Sequence, residues 1–132
     1  MRFIDTNIFV YAITAHPRFG EVSREILERI EREERAATSI LVLCEVAWVL
    51  EAMGRQGDIR PVLEKILSYR NLTVLGFGER ELIEGASNMA TDRMDFNDGV
   101  NLAIMMREGI SEAYSNDSKH LGAAGFLRLI FE

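Results

Sequence analysis

The chain has 132 residues, 48% of them apolar and 27% charged, which suits one domain with its own hydrophobic core. Its net charge of −6 argues against nucleic-acid binding through a broad basic surface; a polyanionic partner would need a bound cation or a local cluster of Arg and Lys. The single cysteine, Cys44, excludes an intrachain disulfide and fits a reduced, cytoplasmic setting.

The opening "MRFIDTNIFVYAI" has the apolar character of a core segment, but Asp5 and Asn7 interrupt it before a secretion signal could form. No stretch reaches the uncharged length of a membrane span. "RFI" reads as a strand, and "TNIFVYAI" as a helix with Thr6 or Asn7 as its cap. "EVSREILERIEREER" is an amphipathic helix with Val22, Ile26 and Ile30 on its apolar face. Glu25/Arg29, Glu28/Arg32 and Glu31/Arg35 are placed to pair along its solvated side.

"AATS" is an edge or inner strand, followed by a mostly buried helix, "ILVLCEVAWVLEAM", that stops at Gly54. Asp58 is expected to cap the next helix, with Pro61 in its first turn. "LTVL" is a strand bounded by Asn71 and Gly76, and a helix runs from about Glu79 to Met89. "DFNDGVNLAIMMREG" is a helix with an acidic start and a glycine stop at Gly109. "EAYS" and "FLRLIF" close the chain as strands. Short strands alternating with helices predict a three-layer α/β/α sandwich with a mainly parallel central sheet, residues 1–132 forming one domain.

In such sheets, sites lie at the carboxyl ends of the strands. Asp5 follows the first strand, Asp117 follows "EAYS", Glu45 lies on the helix after "AATS", and Asp98 lies in the first turn of its helix. Each aspartate has an ordinary alternative: a cap or turn for Asp5, a favourable position in the helix dipole for Asp98, a loop turn for Asp117. Glu45 is harder to explain that way. Its neighbours are apolar, and no Lys or Arg occurs between Arg35 and Arg55. A buried carboxylate without a partner costs several kcal/mol, so it protonates or takes a cation. A hard cation shared among the acids would satisfy it.

These residues resemble the PIN-domain nucleases, and the resemblance runs through nearly the whole chain in the right order. "FIDTNIFV" is similar to their first motif and "TSILVLCEVAWVL" to their second, an apolar helix carrying a Glu. "FNDGVNLAIMMREGI" resembles the third, with Asp98 opening the helix and Ala103 in place, and "EAYSNDSKHL" the fourth. The compact members of this length include VapC-type toxins of toxin–antitoxin pairs. The resemblance implies that Asp5, Glu45, Asp98 and Asp117 are the acidic metal ligands and catalytic residues, for Mg²⁺ or Mn²⁺. Asn7, Ser39 and Ser115 would be supporting polar residues, Ser115 standing where threonine is usual. Asp95 is read as the N-cap of its helix or as an outer acid of the site. His120 replaces a common aromatic.

The implied activity is metal-dependent hydrolysis of RNA phosphodiester bonds, one or two ions activating water and offsetting phosphate charge. The implied partners are an RNA substrate, a cognate antitoxin and a second copy of the chain; apolar residues in "PVLEKILSY" and around Trp48 also point to a homodimer. Arg18, Arg93 and Lys119 are candidate phosphate contacts, with ordinary solvated charge as the alternative. His16 and His120 could form a metal-free acid/base pair, although nothing in their spacing supports it. Cys44 is read as an inert core thiol, and Trp48, Met105 and Met106 as core. Two other readings remain open. One is a non-catalytic binding module of the same fold. The other is a phospho-aspartate phosphatase or receiver, disfavoured because Asn7 replaces the second aspartate of the former and the late strand leads to Asp117 rather than lysine.

Overall fold

The triplet Arg2–Ile4 forms β1, and Phe3 and Ile4 are wholly buried because β1 lies at the centre of the sheet. The computed structural model describes residues 1–119 and 121–132. After β1 come α1 (Thr6–Ile13), α2 (Gly20–Arg32), β2 (Ala36–Ser39), α3 (Ile40–Ala52), α4 (Gln56–Leu67) and β3 (Leu72–Leu75). Then follow α5 (Glu79–Asp92), α6 (Phe96–Glu108), β4 (Glu112–Tyr114), a short 3-10 turn (Leu121–Ala123) and β5 (Arg128–Ile130). The strand order is β3-β2-β1-β4-β5, and every neighbouring pair is parallel. Phe3 sits beside Ala37 on one side and Ala113 on the other. Helices cover the sheet as the three-layer α/β/α arrangement expected from the alternation of elements. All four residues of β2 are buried, which settles it as an inner strand.

Parallel strands need crossover helices, and those helices supply the rest of the core. Ile8 and Phe9 of α1, Ile26 and Ile30 of α2, and Val42 and Val46 of α3 are buried against the sheet. Helix α1 packs on α2 and α3, while α5 packs closely along α6. The last contact depends on two glycines. A Cβ on Gly85 would meet Val100 Cγ2 at 2.5 Å and Val100 N at 2.9 Å, and one on Gly99 would meet the Gly85 carbonyl oxygen at 2.4 Å.

Several local expectations are corrected. Neither Thr6 nor Asn7 caps α1; Asp5 does, accepting the Thr6 N–H at 2.8 Å. Helix α4 begins at Gln56, so Asp58 is inside its first turn and pairs with Arg55 at 2.8 Å rather than capping. Pro61 therefore lies within the helix, where the exposed Gly57 one turn earlier leaves its carbonyl to solvent. Helix α5 continues past Met89 to Asp92. Among the described residues the three i,i+4 pairs of α2 do not close: Glu31 takes Lys65 at 2.9 Å, and Arg29 turns to the Glu132 carbonyl and the Tyr114 hydroxyl. Helix α3 is not buried all round. Cys44 is exposed, Trp48 is 53% exposed and Met106 of α6 is 51% exposed, whereas Met105 is fully buried.

Candidate active site

Because all strands run the same way, their carboxyl ends share one edge, and four elements deliver acids there. Asp5 leaves β1, Asp117 follows β4, Glu45 projects from α3, and Asp95 and Asp98 stand at the start of α6. They line an open cleft of about 400 Å³ together with Thr6, Asn7, Asn116 and a wall of Val10, Tyr11 and Val49. Asp5 and Asp98 are buried, Glu45 and Asp117 half-buried, and Asp95 exposed.

Each carboxylate is set by its surroundings. Asp5 Oδ1 accepts the Thr6 N–H, and Asp5 Oδ2 accepts the Ser115 hydroxyl at 2.6 Å. Ser115 Oγ in turn accepts the Asn7 side-chain amide at 3.3 Å and the Asp117 N–H at 3.0 Å. One hydroxyl thus joins three of the positions named from sequence. Asp95 caps α6, accepting the Asp98 N–H at 2.9 Å, as the cap reading of that residue expects. Ser39 caps α3 by accepting the Val42 N–H at 3.0 Å, and its own hydroxyl donates to Asn101 Oδ1 at 2.6 Å. Asn101 Nδ2 then donates to Glu45 Oε1 at 3.2 Å.

Asn101 was missed from sequence. It is 1% exposed and lies one helical turn after Asp98. A polar residue in the run "VNLAIMM", spaced to share a face with Asp98, was the available signal. Tyr11 and Asn116 of the cleft wall were missed as well; their sequence context is that of ordinary helix and loop residues.

Burial and like charges raise the affinity of Asp5, Glu45 and Asp98 for protons. Burial pushes Asp98 up to about 9, with further contributions from the charges of Asp5, Asp95, Asp117 and Glu45. Burial and the charge of Asp5 push Glu45 up to about 7, against the opposing hydrogen bond from Asn101. Burial also raises Asp5, although the Ser115 hydroxyl and Thr6 N–H oppose it. Among the described residues no Lys, Arg or His lines the cleft.

The donor set fits a hard divalent cation. It is made of oxygens, it carries excess negative charge, and among the described residues the buried Asn7 Oδ1 beside it has no hydrogen-bond partner. Among the described residues no three acidic, histidine or cysteine side chains form a ready-made metal cage. Mutual repulsion of the carboxylates favours that spread arrangement.

The other candidates fall outside the cleft. Arg18, Arg93 and Lys119 are exposed and none lines it; Arg18 lies over the Phe19 ring at 5.2 Å. His16 is not a freely solvated loop histidine: its Nδ1 accepts the Arg18 and Phe19 N–H groups, each at 3.1 Å, and its ring stacks on Phe19. His120 lies outside the described residues. Among the described residues no helix is long and apolar enough to cross a membrane.

The PIN domain family model matches residues 2–126. The fold is similar to that of VapC20 from Mycobacterium tuberculosis, a sarcin-ricin loop cleaving toxin, at 20% identity, covering 96% of this chain and 97% of that one with a TM-score of 0.80. It is also similar to VapBC2 from Rickettsia felis bound to a DNA fragment from their promoter, at 21% identity over 98% and 96% of the two chains, TM-score 0.72. DNA-bound VapBC from Salmonella typhimurium shares 16% identity over 98% and 97%, TM-score 0.69. Comparison with curated proteins finds no match. With its strand order, its acidic cleft and a family match over nearly its full length, this chain belongs to the PIN domain family.

Proposed function

We propose that this protein is a Mg²⁺- or Mn²⁺-dependent endoribonuclease and the toxin of a toxin–antitoxin pair. The observation that carries the reading is the convergence of Asp5, Glu45, Asp98 and Asp117 on one cleft. A divalent ion held there supplies charge neutralisation at the phosphate and an activated water. The chain's own residues supply placement. Ser115 fixes Asp5, Asn101 fixes one oxygen of Glu45, and Asp95 fixes the first turn of α6 that carries Asp98. The Val10, Tyr11 and Val49 wall offers an apolar face to a nucleotide beside the acids. This arrangement also accounts for an anionic protein acting on an anionic substrate: the repulsion is concentrated where a cation offsets it.

The toxin assignment draws on the similar proteins. One is a toxin that cleaves the sarcin-ricin loop, and others are toxin–antitoxin complexes. An antitoxin partner, a homodimer and a cytoplasmic location belong to the same proposal. A basic antitoxin side chain entering the cleft would inhibit by competing for the carboxylates that hold the cation. The exposed Trp48 and Ile40 on α3 offer apolar area to a second copy.

The deciding experiment is cleavage of structured and unstructured RNA with Mg²⁺ or Mn²⁺, and with chelator. Activity should vanish in EDTA and fall about 100-fold or more in Asp5→Ala, Glu45→Ala and Asp98→Ala, because displacing a catalytic centre by even an ångström costs that much. Activity that survives EDTA would refute the metal mechanism, and no cleavage with any metal would favour a non-catalytic binding module.

A further inference from the structure

We propose that Asn101 is a positioning residue that fixes the Glu45 carboxylate in the cleft through a hydrogen-bonded relay from Ser39. The inference rests on the metal-dependent reading above. Of the four acids, Glu45 alone is a glutamate, with one more rotatable bond than the aspartates, and it has the most freedom to lose. Asn101 is buried in α6 among apolar neighbours, an expensive place for an amide unless both ends are satisfied. Both are. Ser39 Oγ accepts the Val42 N–H, so its proton is directed to Asn101 Oδ1 at 2.6 Å. That bond dictates the orientation of the amide: Oδ1 must face Ser39, and Nδ2 must face Glu45, which it reaches at 3.2 Å. The relay begins at the end of β2, the rigid inner strand, and ends on the carboxylate of α3. Because Asp98 and Asn101 lie one turn apart on α6, a single helix carries one acid and orients another.

Hydrogen-bond partners of metal-binding carboxylates govern affinity as well as rate. The test is therefore Mn²⁺ binding to the full chain, followed by calorimetry and by the electron paramagnetic resonance of free Mn²⁺. Asn101→Leu keeps the side-chain volume close and removes the donor. It should weaken Mn²⁺ binding about tenfold or more. In a Glu45→Gln background the same substitution should weaken binding no further, because Asn101 acts through Glu45. Ser39→Ala should follow the same pattern with a smaller loss, and it decides the matter if Asn101→Leu does not fold. Equal weakening in both backgrounds would mean a general structural role and would overturn the proposal. Unchanged affinity in both single variants would overturn it as well, leaving the metal-dependent reading intact. A parent protein that binds no Mn²⁺ would overturn both.

Discussion

The Ser115 hydroxyl donates to Asp5 Oδ2 at 2.6 Å, across 110 residues of chain, and is also the acceptor for Asn7 and for the Asp117 N–H. It is 2% exposed, so water cannot replace it. Ser115→Ala should lower ribonuclease activity about 10–100-fold, the usual cost of removing a group that orients a ligand. Ser115→Thr keeps the hydroxyl and should stay within a few-fold of the parent. Single-turnover cleavage at saturating Mg²⁺ measures both; equal losses in the two variants would remove the orienting role.

Proton binding should control the stability of the metal-free protein. Burial and like charges raise the folded-state proton affinity of Asp5, Glu45 and Asp98. The folded chain then holds more protons than the unfolded chain, whose carboxyls titrate near about 4. Stability is therefore fullest below that range and declines as pH rises through about 7 for Glu45 and about 9 for Asp98. The melting temperature in chelator should fall between about pH 5.5 and about pH 9.5. Excess Mg²⁺ should flatten the decline, because the cation competes with protons for the same oxygens. A melting temperature that climbs with pH in chelator would contradict this account.

Asp98→Asn should separate activity from stability. Burial, and then the charges of Asp5, Asp95, Asp117 and Glu45, oblige Asp98 to take up a proton on folding near neutral pH, whereas an asparagine is neutral in both states. In chelator near neutral pH the variant should be more stable by about 1–3 kcal/mol, a value discounted for solvent screening, and inactive toward RNA. Denaturant unfolding of both proteins in EDTA checks it; a variant markedly less stable than the parent would speak against clustered charge.

The α5–α6 contact should resist even the smallest addition. Gly85→Ala places a Cβ 2.5 Å from Val100 Cγ2 and 2.9 Å from the Val100 backbone nitrogen. The side-chain clash can relax, but the backbone clash requires α6 to shift. The cost should be about 1–3 kcal/mol of stability, the range for overpacking. Activity should fall too, since Asn88 Nδ2 holds the Gly99 carbonyl at 2.9 Å, immediately beside Asp98. Adding Val100→Ala should restore only part of the stability. Full restoration in a thermal melt would show that the side chain alone sets the distance.

His16→Ala should leave RNA cleavage within about threefold of the parent, since His16 does not line the cleft. It should lower stability by about 1 kcal/mol, the order of a lost loop cap. Loss of activity without loss of stability would revive metal-free acid/base chemistry.

Asp5 and Glu45 stood out because their burden is local, whereas Asp98 and Asp117 were set apart by the resemblance to the family's motifs. A carboxylate in "FIDTN" or "LCEVAW" conflicts with its own neighbours, and that conflict can be read without a fold. The strands were legible as short apolar runs between turn residues. What sequence hid depends on partners distant in the chain. Glu31 lies four residues before Arg35 yet pairs with Lys65, because α2 ends at Arg32. Trp48 and Cys44 face solvent although their helix is apolar on nearly every side, since the sheet covers only part of it. Asp5 caps α1 itself, so one side chain both ends the strand-to-helix turn and enters the cleft. Asn101 looked like an ordinary helix residue until Ser39 and Glu45 were found at its two ends.

The placement of β1 between β2 and β4 has a bearing on synthesis. Asp5 is made 110 residues before its hydroxyl partner Ser115, and the backbone of Asp5 donates to the equally late Tyr114 carbonyl. At ordinary translation speeds the partner arrives on the order of ten seconds later. Until then the central strand has an open side and the cleft lacks Asn116 and Asp117. The acidic cleft is therefore completed only late in synthesis, when the segment carrying Ser115 and Asp117 joins the sheet edge that Asp5 has been waiting at.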